Sequence, residues 1–328
     1  MFKTNQIPAE LLNPEVRVEF LMKLEVRDGN PNGNPDMDNY PRVMPDGKGM
    51  ITEAKMSRAW RDALEQTGRY ELFMSRAAAE RGDCLKKRRD DLDIKEEDTT
   101  RYVAELNKVY LDAAMKGAVH TRTASKKTKD TAQKAMEKAQ KALDKVKEEL
   151  AVTPEDAKLL KKVQVATLNL EEAQKKFVEL EEQPDEAGMS YQDLGPFQIS
   201  NGYTQEPIDV QEIKGTRMMS ATGKDSEGNE KSRDFSTKFL VQKATYIFDG
   251  AWSGHIYNTT RKNVGVVFTP DQMRDHWLAL LNGPELRRSS SSGRRWVSEV
   301  KFRVFTDDAG VGDSMDFTLT GQAPLGAD

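Results

Sequence analysis

"EVRVEFLMKLEVR", residues 15 to 27, alternates Val16, Val18, Phe20, Met22, Leu24 and Val26 with mostly charged neighbours. Successive side chains of a strand point to opposite faces, so this pattern predicts a strand with one face on a core and the other toward water. "DGNPNGNPDMDNYPR", residues 28 to 42, follows at once and packs Asp, Asn, Gly and Pro into a stretch that suits neither a helix nor a strand interior. Beyond it, "MITEAKMSRAWRDALEQTG" predicts a helix with Thr52 as N-cap, Glu53 in the first turn and Gly68 as its stop. Met56, Trp60, Ala63 and Leu64 share one face, and Lys55, Arg58 and Arg61 cluster on the other.

From Arg69 to Asn107 the chain is highly charged and expected to be helical in part. From about Lys126 to Glu182, two runs repeat apolar residues at spacings of four and three: Ala132, Met136, Ala139, Leu143, Val146 and Leu150, then Leu159, Val163, Ala166, Leu170, Ala173, Phe177 and Leu180. "AVTPED" separates them, with Thr153 as N-cap and Pro154 at the first helical position. The expected object is an antiparallel helical hairpin of coiled-coil type, roughly 40 Å long at 1.5 Å per residue. Its thirteen basic and twelve acidic residues nearly cancel, which fits an insertion held by its own seam; a docking arm for a partner is the alternative.

Further on, "GPFQISNGYTQEP" predicts a short strand, and "GTRMMSATGKDSEGNEKSRDFSTKF" an exposed hairpin around "DSEGNE". "VQKATYIFDGAWSGHIY" and "NVGVVF" predict two more strands. "TPDQMRDHWLALLNG" predicts a helix capped by Thr269, opened by Pro270 and closed by Gly283, and "RWVSEVKFRVF" a last alternating strand. With the insertions removed, the order is strand, helix, strand, strand, helix, strand. That is an α+β, ferredoxin-like pattern shared by RNA-recognition modules. One elaborated domain over residues 1–328 is expected rather than two independent ones.

The chain has 328 residues, enough to bury a sizeable core. A single cysteine, Cys84, excludes an internal disulfide and a multi-cysteine metal motif. With no stretch approaching 18 uninterrupted apolar residues and no secretory start, a cytoplasmic location is expected. Charged residues make up 32% of the chain, yet the net charge is -4, so only local distribution bears on partners. Residues 214 to 243 carry seven Lys or Arg against four Asp or Glu, and residues 284 to 303 six against two; five aspartates and no basic residue follow Arg303. A basic surface with an acidic tail is consistent with this.

Asp28, Asn30, Asn32 and Gly33 satisfy the first half of an EF-hand loop. The twelfth position, which should supply a bidentate glutamate, is Asn39, and Pro31 and Pro35 stiffen the turn. Asp36 and Asp38 leave open a divalent ion used for phosphodiester cleavage, although no second acidic cluster accompanies them. A Gly and Asn-rich turn after a strand also brings amides close to phosphates or bases, and Lys55, Arg58 and Arg61 downstream complete an anion site. His120, His255 and His276 show no metal-ligand spacing, and "SSSSGRR", residues 289 to 295, is a flexible basic loop or an RNA contact. No metal and no cofactor are expected.

The opening stretch resembles the backbone subunit family of type I CRISPR surveillance complexes, the Csd/Csh group of types I-C and I-B. Members begin with a strand, a D/N-x-N-P-N-G-[DN]-P-[DE]-x-x-N-x-P-R loop and a basic helix; here Asn30, Pro31, Asn32, Gly33, Pro35, Asn39, Pro41 and Arg42 match. "DLGPFQIS", "GTRMMS" and the helix at "TPDQMRDHWLALL" match more weakly, and about half the chain is covered. The hairpin from Lys126 to Glu182 has no counterpart in that pattern.

The resemblance implies a non-catalytic subunit of a Cascade complex, several copies of which line up along a CRISPR RNA. Partners would be that RNA, target DNA, neighbouring copies, and the cap, large and small subunits. The implied parts are an RRM-like palm, a helical finger region at 69–193 containing the 126–182 hairpin, and a β-hairpin thumb at 208–241. The RNA-binding residues implied are Asn30, Asn32, Asn34, Arg42, Lys55, Ser57, Arg58, Arg61, Arg217, Met218 and Lys238. A guide of any sequence must be held, so contacts should go to phosphates and 2′-hydroxyls. Two rivals remain: a metal-dependent ribonuclease using Asp36 or Asp38, and an interaction protein whose coiled-coil hairpin is the functional element.

Overall fold

A computed structural model describes residues 1–83, 85–90, 92, 99–122, 125–152, 157–181, 189–217, 234–286, 291–307 and 310–324. In chain order the elements are β1 (Val18–Gly29), β2 (Gly33–Asn34), β3 (Tyr40–Pro41), β4 (Lys48–Ile51), α1 (Glu53–Gln66), α2 (Arg76–Glu80), α3 (Leu85–Asp90), α4 (Thr99–Val109) and α5 (Leu111–Lys116). There follow β5 (Gly117–Arg122), α6 (Ser125–Val152), α7 (Ala157–Glu181), β6 (Met189–Leu194), β7 (Phe197–Ile199), β8 (Gly202–Pro207), β9 (Val210–Arg217) and β10 (Asp234–Trp252). The chain closes with α8 (Gly254–Ile256), α9 (Pro270–Leu286), β11 (Arg294–Phe305) and β12 (Ser314–Thr320). The protein is mixed α/β, and it divides into two compact units: Met1–Ala118 with Leu194–Asp328, and Val119–Asp193.

The first unit is built on a central antiparallel sheet in the order β12, β11, β1, β10, β8, β4, with β7 and β9 also pairing to β10. Alternation in β1 does what the sequence predicts: Val18, Phe20, Met22, Leu24 and Val26 are all buried. They meet Met56, Trp60, Ala63 and Leu64 of α1, and Met273, Trp277, Leu280 and Leu281 of α9, in one core with Phe248, Val300 and Phe302. Burial of each large side chain contributes about 2–3 kcal/mol. Thr52 caps α1, its hydroxyl accepting from the Lys55 amide, and Gly68 at φ +65° lies just past its end. Thr269 and Gln272 form a capping box at α9: Gln272 N donates to Thr269 Oγ1 at 3.2 Å, and Thr269 N donates to Gln272 Oε1 at 2.8 Å.

Four expectations are corrected. The helix at 270 does not stop at Gly283 but continues through Pro284 to Leu286. The strand expected through Tyr257 ends at Trp252, because Ser253 accepts from the Ile256 amide and opens a helical segment. That segment runs through a π-turn to bury Arg261, whose Nε donates to Ala114 O at 2.7 Å. "NVGVVF" is no strand: Val266 and Phe268 bury while Val267 is exposed, but among the described residues no strand pairs with them. The expected acidic tail is in part a strand, β12, which pairs along β11 from Phe305 to Glu299.

In the second unit α6 and α7 pack along each other, with Leu143 and Leu170 the most buried seam positions. Lys129 near the start of α6 reaches the carbonyl of Glu181 at the end of α7, so the helices run antiparallel. The "AVTPED" connection lies partly, and the "DSEGNE" turn wholly, outside the described residues.

Candidate nucleic-acid interface

The loop after β1 folds on itself through its asparagines. Asn30 Nδ2 donates to the Asn39 carbonyl, Asn32 Nδ2 donates to Thr52 Oγ1 at 3.1 Å, and Asn34 Oδ1 accepts from the Asp36 amide. Backbone bonds from Asn39 N to Asn34 O and from Arg42 N to Asn32 O close the loop, and Gly33 and Asn34 pair with Pro41 and Tyr40. Asn32 therefore ties the loop to the residue that caps α1. Asp28, Asp38 and Asn39 sit at positive φ of 50°, 46° and 64°, a conformation that short polar side chains tolerate best. Strain of this kind, fixed by surrounding bonds, concentrates at ligand sites.

The "SSSSGRR" loop is brought against this one. Asn30 N donates to Ser291 O at 2.7 Å. Gly29 and Gly293 meet so closely that a Cβ on Gly29 would lie 2.2 Å from Ser292 O, and one on Gly293 would lie 2.5 Å from Arg27 O. Neither position accepts a side chain without the backbones moving apart. Arg295 consequently stands beside the start of α1, where burial first, then Arg295 and Arg58, hold the Lys55 ammonium below its ordinary pKa. Arg58 reaches Asp62 at 3.8 Å, a carboxyl that burial pushes above its usual range. Among the described residues, the buried Nε of Arg42 and Oδ1 of Asn30 have no hydrogen-bond partner.

Two of the implied contact residues turn inward. Ser57 is buried and its hydroxyl donates to Glu53 Oε2 at 3.1 Å. Arg61 leaves the solvent face expected for it: its Nε donates to Asp112 Oδ2 at 2.7 Å, and Asp112 also accepts from the Phe73 and Met74 amides. The helical period explains this, since three steps of 100° twice over carry residue 61 well round the helix from residue 55. Lys238 lies on β10 opposite Ile213, and Arg217 ends β9 opposite Asp234. Met218 lies outside the described residues. Sequence reasoning missed Arg295 as a named contact, although the basic excess from 284 to 303 pointed to its loop.

Asp36 and Asp38 are exposed on the loop's outer turn. Among the described residues no group of three or more His, Cys, Asp or Glu side chains converges, and no helix is long and apolar enough to cross a membrane. His276 is wholly enclosed by Trp60, Phe197, Trp252 and Trp277. A hollow of about 890 Å³ on the open sheet face, lined by Glu19, Leu21, Asp249, Lys301, Arg303 and Phe317, lies toward the far end of β1 from this loop.

A braced loop, a capped basic helix and a second basic loop at one end of an antiparallel sheet make a surface suited to an anionic ligand. Residues 16–321 match the family described as CRISPR-associated protein Cas7. A curated relative of that description from Haloferax volcanii is 32% identical over 120 residues, covering 35% of this chain and 35% of the relative, so the match spans about a third of that protein's length. Two solved chains, from a "CRISPR RNA-guided surveillance complex, pre-nicking" and a "CRISPR RNA-guided surveillance complex", show TM-scores of 0.37 and 0.40 at 11% identity. Both matches cover 89% of this chain, and 79% and 70% of the respective structures. The chain belongs to the Cas7 family.

Proposed function

We propose that this protein is a non-catalytic backbone subunit of a type I CRISPR surveillance complex, Cascade, of the type I-C or I-B group. It binds CRISPR RNA as one of several copies arrayed along it, and supports pairing of the guide with target DNA. Family membership supports the reading, and one observation carries it: Lys55, Arg58 and Arg295 gather at the end of the sheet where the braced loop and the second basic loop meet. Such a cluster grips phosphates without reading bases, as a guide of arbitrary sequence requires.

In this reading the sheet with α1 and α9 is an RRM-like palm, supported by β1 lying between β11 and β10 with β7 and β8 beyond. Residues 69–193 form the finger region and 208–241 the thumb. Asn30, Asn32 and Asn34 act chiefly by shaping the loop, since each side chain is engaged within it or with the cap of α1. Lys55, Arg58 and Arg42 carry the phosphate contacts, with Arg217, Met218 and Lys238 acting from the thumb. Ser57 and Arg61 support the helix from inside.

Sequencing the nucleic acid that co-purifies with the protein tests the class: repeat-derived RNA is expected, and random cellular RNA or none would overturn it. Incubating the assembled complex with complementary RNA and magnesium tests the absence of catalysis. Cleavage that disappears in Asp36→Ala or Asp38→Ala would replace this reading with a ribonuclease.

A further inference from the structure

The open face of the sheet, away from α1 and α9, carries a second group of cations. The ladder sets Arg27 of β1 directly opposite Arg294 of β11 and directly opposite Lys243 of β10. Residues paired in this way point to the same side, so three positive side chains stand in one rung across three strands. Val26, next to Arg27, is buried against the core, which puts the rung on the face the helices leave open.

The other open-face rungs of β1 carry no such excess of cations. Glu25 lies between Trp296 and Thr245, and accepts from the hydroxyls of Thr245 and Ser298. Lys23 faces Glu299 and pairs with it at 2.9 Å. Leu21 lies between Lys301 and Asp249, and Glu19 between Arg303 and Ala251. Only the Arg27 rung is wholly cationic, and among the described residues none of its three members makes an ion pair. Like charges directly opposite one another on neighbouring strands destabilise a sheet. Arg27 adds a second sign of an absent partner: among the described residues its buried Nε finds no hydrogen bond, while its guanidinium lies 5.7 Å from the Trp296 ring centroid.

The surroundings suit one kind of anion. The Trp296 ring stands beside Arg27, and farther along β10 the ring of Phe239 lies 5.0 Å from that of Tyr40 in the braced loop. Cations in a row with aromatic rings alongside are how proteins follow a single strand, through phosphates and base stacking.

We infer that Arg27, Lys243 and Arg294 form a second phosphate clamp, on the opposite face of the sheet from Lys55 and Arg58, which holds the phosphodiester backbone of a single-stranded nucleic acid. The inference rests on the proposed nucleic-acid binding and goes beyond it by adding a face and three residues. The rung trades stability of the free protein for affinity.

The test uses the full chain with fluorescein-labelled single-stranded RNA and single-stranded DNA of one sequence, with affinity followed by anisotropy from low to high salt. Lys243→Gln combined with Arg294→Gln should weaken binding by about tenfold or more at low salt and flatten the logarithmic salt slope by roughly 1.4, about 0.7 for each lost contact. The same variant should melt at the same or a higher temperature without ligand, because it relieves repulsion, so weaker binding is not a folding defect. Loss with both strands assigns the clamp to phosphates in general, and loss with one alone names the source. An unchanged affinity and slope, while Lys55→Gln with Arg58→Gln weakens binding, would overturn the clamp and leave the proposed function standing. Wild-type protein that binds neither strand would overturn both.

Discussion

Toward its Glu19 end, β1 lies in a sheet whose charges are neutralised in pairs: Lys23 reaches Glu299, and Arg303 donates to both oxygens of Asp316 at 2.9 and 3.0 Å. At its Arg27 end the same strands carry Arg27, Lys243 and Arg294 with no carboxylate partner among the described residues, and Lys55, Arg58 and Arg295 gather on the other side. Both ends draw on the same residue types, so composition does not separate them. Pairing does. A sheet face facing only water gains from alternating signs, whereas a surface that takes up an anion keeps its cations unspent and bears their repulsion until the anion arrives. The -4 net charge conceals this division.

Several substitutions would break or sharpen the contrast. Lys55→Glu with Arg58→Glu should abolish co-purification of RNA while leaving a folded protein, read as the ratio of absorbance at 260 and 280 nm together with circular dichroism; unchanged RNA content would remove the basic helix from the interface. Asp112→Ala strands the half-buried Arg61 and frees two backbone amides, so a loss of about 3–5 kcal/mol in denaturant unfolding is expected. A marginal loss would return Arg61 to the list of RNA contacts.

His276 gives a pH dependence that belongs to the core rather than to either sheet end. Burial lowers its pKa from 6.5 to about 3. The unfolded chain therefore takes up a proton that the folded one refuses, and this contribution to stability is whole above pH 6.5 and is lost progressively between 6.5 and about 3. The loss is at most about 1.4 kcal/mol per pH unit. His276→Leu should flatten the stability profile over that window, and an unaltered slope would contradict the enclosed, neutral imidazole. Asn32→Ala should cost about 1 kcal/mol by removing the bond to Thr52, and weaken RNA binding only modestly. Asp316→Ala, at the neutralised end, should leave both RNA content and melting temperature unchanged, because an exposed pair contributes little; a clear loss of RNA there would erase the distinction between the ends.

Much of the frame was legible in the sequence because local chemistry and tertiary role agree there. The alternation of β1, Thr52 and Thr269 as caps, and the seam through Leu143 and Leu170 are each fixed within a few residues. Where a residue's role depends on a distant partner, sequence reading fell short. Arg261 bends the chain after Trp252 in order to reach the Ala114 carbonyl, and nothing near residue 261 announces that acceptor. The strand character of residues 314–320 is set by pairing with β11, against an acidic composition that suggested a tail. At the interface, Lys55 and Arg58 could be found from a helical period, but Arg61 could not be recognised as structural without Asp112, fifty-one residues away. The cationic rung is invisible in sequence, since Arg27, Lys243 and Arg294 become neighbours only through the register of three strands.

The central claim, that the Arg27 end of the sheet is the nucleic-acid surface, is tested most directly by ultraviolet cross-linking of the RNA-loaded protein followed by mass spectrometry of the attached peptides. Cross-links should fall in residues 28–42, in α1 near Lys55 and in residues 291–296. Cross-links confined to α6 and α7, or to the Lys23 and Arg303 end of the sheet, would contradict it.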